Sequence, residues 1–163
     1  MQKEVSLYPA LGKPGQEVAV GTAVYTPVNY LSDGTVVAGG FAFAKAGKDR
    51  EVGDPIAPLA SAKATAGAQV LGFVCGDFTS VIPYGEMATD VYPEGANLTI
   101  ARQGDFYVLS TEAVEVGKAL LCDPTTGKVT YGEKDAANDT GWRTMTAAKG
   151  EGEVIIISCR GQK

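Results

Sequence analysis

Short apolar runs alternate with turn residues along the whole chain, and no stretch of ten residues carries a helical period. Residues 17–20 predict a short strand. Residues 22–30 are rich in β-branched and aromatic side chains. They predict an edge strand, or two strands broken at Pro27, because proline removes a ladder donor. Ser32-Asp33-Gly34 is a turn signal of the hairpin kind, leading into an apolar run over 35–38. Gly39-Gly40 predicts a bulge or bend before Phe41-Ala42-Phe43-Ala44, where the two phenylalanines share one side of a strand. Pro55 and Pro58 argue against a central strand over 55–59. Residues 69–75 predict a buried strand. Five more follow at 87–91, 97–101, 105–109, 119–122 and 128–131, with Gln103-Gly104 among the separators. A strand is expected within 141–147, and 153–159, the most apolar run, predicts a central one. Pro9, Pro14 and Gly15 disfavour regular structure at the start. The expectation is an extended N-terminal arm over 1–15 and a single all-β domain over 16–163, a compact sandwich or barrel.

Composition supports this and removes whole classes of chemistry. The chain has 163 residues, enough for one domain with a real core. Its 21 glycines and 8 prolines suit many turns. It has no histidine. A Ser-His-Asp triad, a Cys-His dyad and any His-ligated metal site are therefore excluded. The net charge is −5, which argues against a phosphate-backbone binder, so no nucleic-acid partner is expected. No apolar run approaches the length of a membrane span, and no membrane partner is expected. Lys3 is not followed by an apolar run, so no secretory signal is expected. Cys75, Cys122 and Cys159 lack metal-ligand spacing and sit in apolar runs, as buried free thiols would. Asn97-Leu98-Thr99 and Asn138-Asp139-Thr140 match the glycosylation pattern, which has no use in a chain that is not secreted.

Candidate sites are few. Gly72 to Gly76 and Gly34 to Gly40 lack the Lys-Ser/Thr pair of a phosphate loop and read as bends. Asp77, Glu86, Asp90 and Glu94, with Asp49, Glu51 and Asp54, are carboxylates in turns. A glycosidase pair would need two of them facing a substrate, and the calcium-loop spacing is missed. Tyr8, Tyr25, Tyr30, Tyr84, Tyr92, Tyr107, Tyr131 and Trp142 offer the makings of a stacking platform for sugars or bases. Tyr107 and Tyr131, which sit inside strand patterns, are read instead as half-buried strand residues. Tyr8, on the proline-bearing arm, is either a docking residue for another chain or packed on its own domain.

Several segments together resemble the structural cement proteins of tailed phages. They are Val5-Ser6-Leu7-Tyr8-Pro9-Ala10, the run from Val36 to Ala44 through Gly39-Gly40, Leu71-Gly72-Phe73-Val74 and Ile82-Pro83-Tyr84-Gly85. Gly104-Asp105-Phe106-Tyr107-Val108, the stretch from Val116 to Val129, Gly141-Trp142 and Val154 to Ser158 follow in the same order. The cysteines and the polar loop over 135–140 are not part of that pattern. The resemblance implies a jelly-roll-like β-sandwich or barrel without enzymatic activity or cofactor. It implies a capsid decoration protein that binds the exterior of the phage head, made in the host bacterial cytoplasm. Its implied partners are the major capsid protein and further copies of itself, as a dimer or trimer. Leu7, Tyr8, Pro9 and Leu11 on the arm, and Tyr25, Pro27 and Tyr30 at an exposed edge, are the candidate contacts with capsid or neighbouring subunit. Two other classes compete. One is a carbohydrate-binding or host-surface adhesion β-sandwich using a Tyr/Trp patch. The other is a small β-barrel nucleotide hydrolase with carboxylates and magnesium, whose phosphate motifs are missing.

Overall fold

The computed structural model describes residues 12–44, 58–64, 70–76, 90–134, 136 and 138–160. Every regular element among them is a strand. In chain order these are β1 (Val24–Tyr25), β2 (Tyr30–Ser32), β3 (Phe41–Ala44), β4 (Leu59–Ser61), β5 (Val70–Val74) and β6 (Asn97–Leu98). They continue as β7 (Ile100–Leu109), β8 (Ala119–Cys122), β9 (Val129–Gly132), β10 (Asp139–Thr144) and β11 (Val154–Cys159). All belong to one mixed sheet in the order β6-β2-β4-β3-β5-β7-β11-β10-β8-β9, with β1 added beside β7.

The 10-residue β7 is the seam. Its start pairs with β5 (Phe73↔Ala101, Val74↔Ile100), and its remainder pairs with β11 from Cys159↔Gly104 to Val154↔Leu109. Strands from both sides of this seam contribute to one core. Phe41, Phe43 and Phe73 come from one side, and Leu120, Cys122, Val129, Trp142, Ile155 and Ile157 from the other, with Phe106 and Val108 of β7 between them. Four rings form its centre. Phe73 lies 5.6 Å from Phe41, 5.2 Å from Phe106 and 5.6 Å from Trp142, in tilted and edge-on geometries that aromatic pairs favour. The two-residue period explains the placement. Phe41 and Phe43 enter this core, while Ala42 enters a second one with Val36, Val74, Tyr92, Leu98 and Ile100. Strands β3 and β5 are thus apolar on both faces, which is why their sequences read as unbroken apolar runs.

The all-β expectation is met, as is the central place of β11, flanked by β7 and β10. The segment over 22–30 forms two strands, β1 and β2, with a bend at Pro27 between them. Other expectations are overturned. Ser32-Asp33-Gly34 does not close a hairpin, for β2 pairs in parallel with β4 and antiparallel with β6, both distant in sequence. The turn serves instead to bring Val36 into the second core, and 35–38 contributes only an isolated bridge, Val37↔Val91. Strand β4 lies inside the sheet between β2 and β3 despite Pro58. The proline stands just before the strand, where its missing N–H costs no ladder bond, and its carbonyl accepts from the Leu31 N–H at 3.0 Å. Gln103-Gly104 does not separate two strands but lies within β7. Gly104 adopts φ 134°, and a Cβ there would meet the Phe106 ring at 2.9 Å and the Ala23 Cα at 3.0 Å. It is a point of close approach, not an end. The expected strand over 17–20 is reduced to a single bridge, Glu17↔Phe106.

Candidate interaction surface

From Val18 to Ser32 the chain carries no charged residue, its longest such stretch. Strands β3 and β5, within other long uncharged stretches, are mostly buried, but this one lies largely at the surface. Its part from Val18 to Thr26 is pinned to β7 at both ends. Val18 N–H donates to the Asp105 carbonyl at 2.9 Å, and Thr26 N–H to the Ile100 carbonyl at 2.9 Å. Between them β1 pairs Val24 with Gln103 and Tyr25 with Ala101. Among the described residues β7 is the one strand partner of β1.

Glu17 shapes the loop between the pins. Its Oε1 accepts the N–H groups of Thr22 and Ala23, both at 2.8 Å, and the Thr22 hydroxyl at 3.1 Å. The Tyr25 hydroxyl donates to Oε2 at 3.4 Å. Burial alone would raise the Glu17 pKa. The hydrogen bonds from Ala23, Thr22 and Tyr25 outweigh it and hold the carboxyl below its ordinary range. With the polar backbone turned inward on Glu17, the apolar side chains point out. Val20 is 97% exposed, Val24 52%, Val28 45% and Tyr25 44%.

Of the expected contact residues, Tyr25 and the exposed Pro27 lie on this surface. Tyr30 is half-buried, packs against the second core and is paired with Leu98 of β6. Leu7, Tyr8, Pro9 and Leu11 lie outside the described residues. Of the expected arm, residues 12–15 are described, and they run along β7. Gly15 N–H donates to the Tyr107 carbonyl at 2.8 Å, and Gly12 sits so close to the Tyr107 ring that no side chain would fit between them. Glu17, Val20, Val24 and Val28 were not singled out by sequence motifs. The signal that marks them is the long lack of charge in a chain that is 20% charged.

The other candidate chemistry disperses. Trp142 is buried in the main core and Tyr92 in the second, where its hydroxyl donates to the Cys75 carbonyl at 2.8 Å. The Tyr131 hydroxyl contacts the Ser110 hydroxyl at 3.2 Å, and Tyr8 and Tyr84 lie outside the described residues. Burial pushes the thiols of Cys75 and Cys122 up to about 12, so neither supplies a thiolate near neutrality. Asp105, nearly buried on β7, is held below its ordinary pKa by its ion pair with Arg160 at the end of β11, which braces the seam. Of the carboxylates in turns, Asp49, Glu51, Asp54, Asp77 and Glu86 lie outside the described residues. Among the described residues no three Cys, Asp or Glu side chains gather as metal ligands do. A cavity of about 550 Å³ among the described residues has Val37, Ala38, Val91 and Val129 in its walls, with Lys13, Lys128, Asp90 and Glu151 also lining it.

What remains is a β body with a pinned, uncharged edge, a surface suited to contact rather than chemistry. The family model described as structural cement protein (E217 gp24/Pam3 gp6), a phage family, matches residues 1–160. The chain belongs to this family. No curated protein matches it. As a phage structural cement protein, it has a structural role in the capsid, and its partners are capsid proteins. The four-ring core and the seam strand, paired with β5, β1 and β11, make the β body stiff, because close-packed interiors transmit strain with little give.

Proposed function

We propose that this chain binds the exterior of the phage head and strengthens contacts between neighbouring major capsid protein subunits there, after synthesis in the host bacterial cytoplasm. The observation that carries the reading is the family match over residues 1–160, which takes in the arm as well as the β domain. In this reading 1–11 dock on the shell, 12–15 anchor that arm along β7, and 16–163 is the body. Leu7, Tyr8, Pro9 and Leu11 supply apolar and extended backbone contacts to the shell, as a segment added to a sheet edge does. Modest affinity at each site is enough, because many equivalent sites on the lattice act together. The burial of Trp142 and Tyr92 removes two members, the tryptophan among them, of the ring patch on which a sugar-binding module would rely.

The test is add-back to purified expanded heads that lack this protein. Full-length chain is expected to saturate the heads at a fixed ratio to the major capsid protein and to raise their disruption temperature. A chain lacking residues 1–11 is expected to keep its circular dichroism and melting temperature while losing most of that occupancy. Equal occupancy with and without the arm would remove the arm from the contact. No binding by the full chain would overturn the exterior role itself.

A further inference from the structure

We propose that the cavity beside Leu109 takes an extended, apolar segment of the major capsid protein, which adds to the open end of β7 as a further strand. The proposal rests on the exterior role above and names the site at which the capsid partner is held.

The backbone at the end of β7 is the first observation. Successive residues of a strand aim their N–H and C=O groups to opposite sides. Ser110 faces β11, and its N–H donates to the Glu153 carbonyl at 2.8 Å. The odd-numbered residues before it face the other way. The Asp105 carbonyl accepts the Val18 N–H at 2.9 Å. The Tyr107 carbonyl accepts the Gly15 N–H at 2.8 Å, and the Tyr107 N–H donates to the Gln16 carbonyl at 3.0 Å. Leu109 is next in this series, opposite Val154 at a ladder position that exchanges no hydrogen bonds. The chain that would continue the series turns aside. Gln16 N–H donates to the Lys13 carbonyl at 3.0 Å, Lys13 N–H to the Gln16 Oε1 at 3.1 Å, and Gly12 packs on the Tyr107 ring. Among the described residues no strand meets the outward N–H and C=O of Leu109. A donor and an acceptor open side by side are what an added strand uses.

The cavity decides what kind of segment is added. Leu109 opens onto the space of about 550 Å³ described above. That is within the range of about 300–1,000 Å³ usual for binding cavities. The backbone of its Val37–Val91 wall is already engaged, by Ala38 N–H to the Asp90 carbonyl and Tyr92 N–H to the Val36 carbonyl, both at 2.8 Å. What this wall offers is apolar side chain, and Val129 adds to it. The charges lining the cavity are two lysines and two carboxylates, which cancel. Such a space favours uncharged side chains, since burying an unpaired charge is costly. One open strand position beside an apolar cavity fits an extended chain that turns alternate apolar residues inward. The partners of a cement protein are capsid proteins, so the segment is theirs.

The test uses purified expanded heads that lack this protein and full-length chain carrying Leu109→Pro, Leu109→Ala or Val37→Trp. Proline removes the outward N–H and no β11 ladder bond, as edge positions tolerate. It is expected to lower affinity for heads about 10-fold or more, because the capsid carbonyl then lacks its donor. Leu109→Ala keeps the N–H and is expected to keep most of the binding. Val37→Trp fills the cavity from its wall and is expected to lower affinity at least as much as proline, which gives a second reading if Leu109→Pro fails to fold by circular dichroism and melting. A photo-crosslinking benzoylphenylalanine in place of the exposed Lys128, at the cavity lining, is expected to join one segment of the major capsid protein on assembled heads. Wild-type affinity in both Leu109→Pro and Val37→Trp overturns the proposal and leaves the exterior role standing. Equal loss in Leu109→Ala and Leu109→Pro overturns strand addition, and a crosslink to residues 1–11 or to another copy overturns the capsid segment as occupant. Wild-type chain that does not bind heads overturns the exterior role and this proposal with it.

Discussion

Replacing Phe73 by alanine tests whether one ring cluster holds the two sides of the sheet together. Phe73 is fully buried, and it is the ring of β5 that touches Phe41 beside it and both Phe106 and Trp142 across the core. Phe→Ala changes in cores cost about 3–5 kcal/mol, depending on how far the site collapses. Here β5 is fixed by β3 on one side and β7 on the other, and the surrounding rings are rigid, so little collapse is available. The expected loss is in the upper part of that range, about 4–5 kcal/mol. For a domain of this size it corresponds to a fall in Tm of roughly 8–20 °C. Phe73→Leu restores most of the volume but not the ring contacts, and is expected to cost about 2 kcal/mol. Tyr25→Ala, at the surface, is expected within about 0.5 kcal/mol of the wild type. Urea titration followed by tryptophan fluorescence gives all three, with Trp142 as the probe. A cost for Phe73→Ala below about 1.5 kcal/mol, or equal to that of Tyr25→Ala, would refute a shared core between the two sides.

Two further predictions concern the seam and the edge. Gly72 sits in β5 with φ 153°, and a Cβ there would stand 2.3 Å from the Ala101 carbonyl oxygen of β7. Gly72→Ala is therefore expected to cost more than about 2 kcal/mol by the same titration, and a neutral result would show that the β5–β7 contact is looser than described. Glu17 has a folded pKa below its ordinary value of 4.5, so its stabilising contribution is complete above that value and is lost as the pH falls through the lower folded value. Asp105, also depressed, contributes with the same sign. Glu17→Gln is expected to flatten the acid limb of the stability–pH curve and leave its shape above pH 5 unchanged; an unaltered acid limb would show that the carboxylate does not organise the edge.

Much of the architecture was legible where burial is local. The strands at Phe41–Ala44, Val70–Val74, Ala119–Cys122 and Val154–Cys159 show as apolar runs between turn residues because both their faces, or one whole face, are covered. Pairing was not legible where it is remote. Asp33-Gly34 has hairpin chemistry, yet β2 finds its partners in β4 and β6, and no local signal encodes a choice made by the whole sheet. Gly104 misled for a related reason, because a glycine needed for close approach and one that ends a strand look alike in sequence. Trp142 sits at an alternating buried position of β10, so its place in the core could have been read from the period. The contact edge was half legible. Tyr25 and Pro27 stood out by type, but Val20, Val24 and Val28 are marked only by the missing charges around them, and Glu17 only by hydrogen bonds that require the folded loop.

The central claim is that this chain is a lattice component of the phage head. Quantitative mass spectrometry of purified virions, with and without a mild chaotrope wash, tests it most directly. The account predicts a fixed ratio to the major capsid protein before the wash, loss of the chain on washing, and washed heads that rupture at lower temperature. Its absence from heads, or its presence at only a few copies per particle, would contradict the account.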